Sequence, residues 1–412
     1  MPSITNEKMR QLVNKYEQNV IEIRRDIHMH PELSFQEKRT SELVASKLEE
    51  LGIEVRSGIG KTGVIGILKG SRPGKTLALR ADMDALPLDE ENDLPFKSVN
   101  AGVMHACGHD CHTANLLGVA MILSEIKNEL CGTIKFIFQP AEENGGGGRE
   151  MVKEGALKNP DVDAIFGLHV KQMPLGTIEV GHGNIMAYSD RFILRVKGKQ
   201  AHTSNPQQGV DSIVISANII TALQSIISRQ IDPLETATFS VGQINGGTAP
   251  NIVPDLVEMV GMIRSMSKNT REIIKNNIEK IAKSVAEGMS GECEFIFKEG
   301  YPAVFNNKEM ADYVKELAIE RCQDIKDDLD LQLPPEFDLK ELVRITDKPS
   351  LGAEDFGFYS LEVPACFFYV GAGNQAPVHS PKFMVDERMF KVSLNLLSSV
   401  AVKFLNQNSI TI

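Results

Sequence analysis

The sequence predicts an α/β protein, a mostly parallel central sheet flanked by helices and interrupted by an inserted α+β domain. Three observations carry this. The runs at 63–68, 76–80, 133–138 and 164–168 are apolar along nearly their whole length, as strands buried on both faces of a parallel sheet are. Helical periodicities at 113–126 and 148–154 alternate with those runs, the βα alternation of a covered sheet. From 188 to about 300 the order becomes strand, helix, two strands, helix, strand, that of a split-βαβ, ferredoxin-like unit. A chain of 412 residues has room for two or three domains. Two account for it: 1–187 with 301–412 as one discontinuous domain, and 188–300 inserted between them.

Taken in order, the first 28 residues form an amphipathic helix, with Met9, Leu12, Val13, Tyr16, Val20, Ile23 and Ile27 at steps of three and four. Ser34 and Glu37 have the spacing of a capping box. The helix they open places Leu43, Val44, Leu48 and Leu51 on one side and stops at Gly52. In the insert, strands at 191–196, 236–241, 256–264 and 293–298 accompany helices at 211–229 and 270–289. A helix at 308–322, a strand at 365–370 and a helix at 387–406 complete the α/β domain. The acidic, proline-containing stretch 324–341 reads as a surface excursion, and no internal repeat is visible.

Hydrophobic residues make up 42% and charged residues 24%, values that exclude collagen, coiled coil and wholesale disorder. A net charge of −11 without a dense Lys/Arg cluster argues against nucleic acid. Six cysteines in such a chain are too sparse for a disulfide framework. The N-terminus lacks an apolar stretch and a cleavage site, and the longest apolar runs fall well below the roughly 20 residues that span a bilayer. The expectation is a reducing, cytoplasmic setting with no membrane partner.

Chemistry concentrates at a few places. His105, Cys107, His109, Asp110, Cys111 and His112 crowd into 105–112, and thiolate with imidazole suits zinc. A structural zinc knot and a pair of inert thiols remain alternatives. Haem attachment is excluded, because Cys107 and Cys111 stand too far apart. The other candidates share one placement. Asp82 and Asp84 follow the run 76–80, Glu142 and Glu143 follow 134–138, His169 closes 164–168, and His379 lies beyond 365–370. Ligands of open α/β sheets bind outside the carboxyl ends of the strands, so the joint placement predicts a site there. Adjacent residues such as Glu142 and Glu143 point different ways. One can hold a metal while the other takes the proton of an attacking water. The run Gly145–Gly148 is no phosphate loop, since no Lys-Ser/Thr follows it.

The segments RRDIHMHPELSFQE, RADMDALPL, MHACGHDCHTANLLG, FQPAEENGGGG, GLHV, GTAPNIVP and VHSP occur in this order. Together they resemble the metal-dependent amidohydrolases of the aminoacylase/carboxypeptidase superfamily. The match is to the branch holding hippurate hydrolase, N-acyl-amino-acid amidohydrolases and plant auxin-conjugate hydrolases, and it runs from about residue 20 to 400. The resemblance implies a zinc-exopeptidase-like catalytic domain with two divalent ions, zinc or manganese, with cobalt or nickel compatible. It implies a lid domain that dimerises, giving a homodimer or a dimer-based homotetramer. By the same resemblance Cys107, His109, Glu143, His169 and His379 are metal ligands, and Glu142 is the general base and acid. Asp84 matches a position that orients a histidine two residues earlier, which here is Asp82. His202 matches an oxyanion-stabilising histidine, and Asn251 and Arg264 match positions that bind the substrate carboxylate and carbonyl.

The implied reaction is hydrolysis of N-acyl-L-amino acids, N-acetyl or N-benzoyl among them, by a water held between two divalent ions. Its products are a carboxylate and a free amino acid. A dipeptidase or carboxypeptidase on the same scaffold, a non-catalytic metal-binding protein and a thiol-redox protein using Cys107 and Cys111 are the rival readings. Three features depart from the family pattern. Cys111 replaces a common glycine and would bring a second thiol near the metals. Lys199-Gln200-Ala201-His202 replaces a Gly-Gly-His run and would alter lid closure. The acidic stretch 324–341 is longer than usual.

Overall fold

The computed structural model describes residues 4–346, 348–373 and 376–406. Contacts divide the chain into two compact units: the described parts of 1–183, 305–347 and 355–412, and 184–304 with 348–354. The larger unit opens with α1 (Asn6–Met29), α2 (Lys38–Glu50), β1 (Glu54–Ile59), β2 (Gly63–Lys69) and β3 (Arg72–Asp82). It continues with α3 (His109–Glu125), β4 (Cys131–Gln139), α4 (Gly147–Lys153), β5 (Ala164–Lys171) and β6 (Ile178–Val180). After β7 (Gly183–Met186) come β8 (Tyr188–Lys197), β9 (Ala201–His202), α5 (Ser212–Gln230), β10 (Ala237–Gly246) and β11 (Ile252–Val253). Next are β12 (Leu256–Ser265), α6 (Lys268–Gly288), β13 (Glu292–Tyr301) and β14 (Val304–Asn306). The chain ends with α7 (Lys308–Glu320), α8 (Cys322–Asp328), β15 (Val343–Ile345), α9 (Gly357–Ser360), β16 (Ala365–Gly371) and α10 (Met389–Asn406).

The larger unit is built on an eight-stranded sheet in the order β1-β2-β4-β3-β5-β16-β6-β15. Its middle, β4-β3-β5-β16, is parallel throughout. β1 and β2 join it antiparallel at one side, and β6 runs antiparallel to β16 at the other. The run 63–68, expected among the parallel strands, is therefore β2, an antiparallel one. Its apolar character reflects burial of Gly63 through Leu68 on both faces and says nothing of strand direction. Val20 and Ile27 of α1, Leu116 and Leu117 of α3, and Leu394, Leu397 and Phe404 of α10 join the strands in one core.

Three further expectations change. α2 starts at Lys38, and Glu37 makes no side-chain cap, so Ser34 and Glu37 form no capping box. The amides of Arg39 and Thr40 are taken instead by the Glu32 carboxylate, at 3.0 and 2.9 Å. The stretch 324–341 runs along the surface, exposed over much of its length, but it is more than an excursion. It completes α8, packs Leu329, Leu331, Phe337 and Leu339 against the core, and delivers the edge strand β15, parallel to β6. Finally, α5 is long and apolar enough to cross a bilayer by length and composition, which the sequence reading did not expect of any segment. Its Ile215, Ile219, Leu223 and Ile226 lie in the core of the smaller unit.

In that unit β8, α5, β10, β12, α6 and β13 follow the split-βαβ order. They form an antiparallel sheet ordered β10-β12-β8-β13. Phe192, Leu194 and Val196 of β8 meet Ile274, Ile278 and Ala282 of α6 in its core.

Asn306 ties the larger unit together from a fully buried position. Its Nδ2 donates to the carbonyls of Gly181 and Phe367 at 2.8 and 2.7 Å, and its Oδ1 accepts the amide of Phe367 at 2.7 Å. Asn306→Ala strands three buried backbone groups and should lower stability by about 2–4 kcal/mol, read as a drop in melting temperature against the parent protein.

Candidate metal centre

The four parallel strands end at one edge of the sheet, and each hands the chain to residues able to bind a cation. β3 ends at Asp82 and precedes Asp84; β4 precedes Glu142 and Glu143; β5 carries His169; β16 precedes His379. Cys107 and His109 come from the start of α3, which begins at His109 and not near 113. No Ser, Thr or Asp caps it; the N-cap is Gly108 at φ 94. A Cβ on Gly108 would lie 2.3 Å from Cγ2 of Val170, so close approach of β5 and the positive φ both demand glycine. α3 is also buried on nearly every side, which erased the amphipathic pattern that would have marked its first turn.

Four imidazoles then take different parts. The Val170 amide donates to Nε2 of His112 at 2.9 Å, so the His112 proton sits on Nδ1 and goes to Oδ1 of Asp82 at 2.6 Å. Both nitrogens of His112 are spent. Nδ1 of His109 donates to Oδ1 of Asp84 at 3.2 Å, and its buried Nε2 has no hydrogen-bond partner. Nδ1 of His169 donates to the Val170 carbonyl at 2.6 Å, leaving Nε2 3.4 Å from Sγ of Cys107. His379, half-exposed at φ 62, donates its amide to the carbonyl of Ala106 at 2.7 Å. Its Nε2 lies 3.2 Å from Oε1 of Glu143.

Two close groups result: Cys107, His109 and His169, and Cys107, Glu143 and His379. In each, one ligand atom per residue lies within 4.8 Å of the others. His109, Glu142 and Glu143 form a third such group. Of the residues at 105–112, only Cys107 and His109 join these three groups. Asp110 accepts from Nε of Arg24 at 2.7 Å and faces Nδ1 of His28 at 2.9 Å. Cys111 belongs to none of these groups among the described residues and sits by Arg24 and Asp110, so it brings no second thiol to the cluster.

Charge at this end of the sheet is unbalanced. Burial opposes a charge on His109, yet Asp82, Cys107 and Asp84 hold its pKa well above the ordinary imidazole range. Burial, reinforced by Glu143 and Glu142, pushes the Cys107 thiol well up. Burial alone would raise Asp84, but hydrogen bonds from His109, Ser34 and the Glu143 amide bring it below the usual carboxylate range. An orphaned Nε2, a thiol, a second imidazole and a carboxylate converging in a buried, anionic setting fit divalent cations.

Sequence reasoning missed the layer beneath. Arg80 is fully buried and donates to Gln139 Oε1 at 2.9 Å, to Asp82 Oδ2 at 2.7 Å and to Asp355 Oδ1 at 2.9 Å. An arginine inside an apolar run was the available signal. Asp355, which also accepts the Gly148 amide at 2.8 Å, had none.

The remaining expected residues lie in the smaller unit. Strand pairing sets His202 opposite Ile252, and the Thr203 amide donates to the carbonyl of Asn251. The Ser204 amide donates to Nδ1 of His202 at 3.1 Å, which leaves the proton of a neutral His202 on Nε2. Arg264 on β12 is partly buried, and its Nη1 has no hydrogen-bond partner.

A parallel sheet edge that gathers a thiol, imidazoles and carboxylates beside a further glutamate suits a metal-dependent hydrolase. The profile of Peptidase family M20/M25/M40 matches residues 78–403. The chain belongs to that family and is one of its metal-dependent amidohydrolases. It is 41% identical to Thermostable carboxypeptidase 1 of Saccharolobus solfataricus over 97% of this chain and 99% of that one. It is 43% identical to an N-acyl-L-amino acid amidohydrolase of Geobacillus stearothermophilus over 74% of this chain and 83% of that one. A crystal structure of a dinuclear metal-binding M20 peptidase from Bacillus subtilis matches with a TM-score of 0.81 at 36% identity, covering 96% of this chain and 99% of that chain.

His105 is buried with neither ring nitrogen hydrogen-bonded, and burial takes its pKa down to about 4. The unfolded chain takes up this proton near 6.5, whereas the native protein refuses it until about 4. The stability tied to neutral His105 is therefore full above pH 6.5 and is lost as pH falls towards 4. His105→Phe should shrink the loss of stability between pH 7 and pH 5 by about 2 kcal/mol, measured by urea unfolding at both pH values.

Proposed function

We propose that the enzyme hydrolyses the amide bond of N-acyl-L-amino acids, releasing a carboxylate and a free amino acid. The observation that carries this is the pair of close groups sharing Cys107, with Glu142 beside them. Cys107, His109 and His169 would hold one divalent ion, and Cys107, Glu143 and His379 a second. Zinc or manganese suits this donor set, with cobalt or nickel as substitutes. When bound, such ions would lower the pKa of a water and polarise the substrate carbonyl. Glu142 takes the proton of the attacking water and passes it to the leaving amine. Asp84 fixes the His109 tautomer and so aims Nε2.

In the smaller unit, proposed as lid and dimerisation domain, Nε2–H of His202 supplies a donor for the oxyanion. Asn251 and Arg264 bind the substrate carboxylate and carbonyl, and the unspent Nη1 of Arg264 supports that role. Exposed Ile213, Val214, Ile244, Leu256 and Met262 in this unit support a homodimer or dimer-based homotetramer. Six free cysteines are in keeping with a cytoplasmic setting.

Glu142→Gln should keep its metals and lose about 10²–10⁴-fold in kcat; turnover close to that of the parent enzyme would sink the assignment. Cys107→Ala should lose bound metal, so unchanged stoichiometry by elemental analysis counts against that ligand. Substrate class is tested on the metal-reconstituted enzyme with N-acetyl amino acids, N-benzoyl amino acids and dipeptides. Preferential cleavage of dipeptides would favour the second reading, a carboxypeptidase, which the similarity to Thermostable carboxypeptidase 1 supports.

A further inference from the structure

Glu37 is completely buried, belongs to none of the candidate metal groups among the described residues and caps no helix with its side chain. Its carboxylate turns towards the loop after β4. Oε1 accepts the amides of Phe35 at 3.0 Å and Ala141 at 2.8 Å, and Oε2 accepts Oγ1 of Thr62 at 2.6 Å. Asp84 takes the next two amides of the same loop, Glu142 and Glu143, each at 3.0 Å. Three successive N–H groups therefore run into two buried carboxylates.

An extended chain sends successive amides to opposite sides, so this capture needs a sharp turn. Ala141 makes it at φ 53, a conformation that residues with a Cβ adopt rarely. The segment supplying Glu37 also supplies Ser34, whose Oγ donates to Oδ2 of Asp84 at 2.6 Å. Phe35 between them covers Gly145, where a Cβ would come 2.4 Å from the ring. Residues 34–37 thus brace the glutamate turn at its first amide, at Asp84 and at Gly145.

We propose that Glu37 is a positioning residue for the general base. Together with Asp84 it clamps the amides of 141–143, so that Glu142 and Glu143 leave the chain in fixed and different directions. The inference rests on the reading of Glu142 as that base. A charged acceptor suits the task, because one carboxylate satisfies three donors with charge-assisted bonds. A glutamine would turn its N–H group to Thr62 Oγ1 and leave the Phe35 and Ala141 amides on a neutral oxygen, without charge assistance. With the amide before Glu142 held less tightly, the peptide can rotate and swing the base away from the water it must deprotonate.

The test is Glu37→Gln in the metal-loaded enzyme, alone and combined with Glu142→Gln. Metal content and KM should stay close to those of the parent, and kcat should fall about 10–100-fold, the scale of a misplacement near 1 Å. Amide hydrogen exchange over 139–146 should quicken. In the Glu142→Gln background the same substitution should add no further loss, because its effect passes through the base. An unchanged kcat overturns the proposal, as does a loss repeated in full in that background, a raised KM or missing metal. Should Glu37→Gln fail to fold, Thr62→Val removes one donor from the same carboxylate and is judged by the same split, with a smaller loss in kcat. Normal turnover in Glu142→Gln alone sinks the base itself, whereas an inactive Glu142→Gln beside a fully active Glu37→Gln sinks only the clamp.

Discussion

The carboxylate of Asp84 is the point on which the centre depends. Each of its oxygens accepts two hydrogen bonds: Oδ1 from His109 Nδ1 and the Glu142 amide, Oδ2 from Ser34 Oγ and the Glu143 amide. An ionised carboxylate has about four acceptor sites, and here all are used. The donors come from the loop after α1, the first turn of α3 and the loop after β4, segments that have no direct reason to meet. Burial makes the ionised form costly, but the converging donors outweigh that cost and lower its pKa. Because those bonds need the charge, the loop, the helix and the strand end are held as a unit.

Beneath Asp84 lies a layer in which one buried arginine is shared between two carboxylates and neutral N–H donors take up the remaining charge. Arg80, Asp82, Asp355 and His112 bond to one another or to the amides of Gly148 and Val170. A buried arginine left unpaired would be severely destabilising, so this layer is a rigid floor in which every carboxylate oxygen of Asp82 and Asp355 already accepts a hydrogen bond. Around Glu143 the balance is different. Positive charge there comes from His109 and His379, both raised in pKa by carboxylates, His379 chiefly by Glu143 itself. Protons on those rings occupy nitrogens that ligation needs neutral. Divalent cations would satisfy the same carboxylates while releasing the rings, which is why the donor set reads as a metal centre and not as a salt-bridge network.

Much of this was legible in the sequence, for reasons that differ between residues. Strand ends announce themselves through continuous apolar runs, so Asp84, Glu142, Glu143 and His169 could be grouped before any coordinates. Strand direction could not be read, because β2 is as buried as the parallel strands beside it. The start of α3 was hidden because a helix buried all round has no periodicity and Gly108 is no ordinary cap. Ser34 and Glu37 misled more sharply. Their spacing suits a helix cap, but both side chains were drawn off by partners distant in the chain, Asp84 and Ala141. Local pattern cannot separate those uses, since the same acceptor serves an amide at either distance.

The resemblance sets a histidine where this chain has Asp82. Asp82 faces the floor, bonded to Arg80 and His112, so in the proposed centre the first turn of α3 would take that histidine's place. A helix N-terminus carries partial positive charge. It works against the burial that pushes the Cys107 thiol up and against the carboxylates that raise His109. Both effects act in the direction that metal binding requires. Gly108 is then doubly constrained, since it must start the helix at positive φ and leave room for Val170, whose amide and carbonyl hold His112 and His169. Moving the ligands onto a helix end therefore couples thiolate chemistry, imidazole tautomers and the packing of β5 through one residue without a side chain.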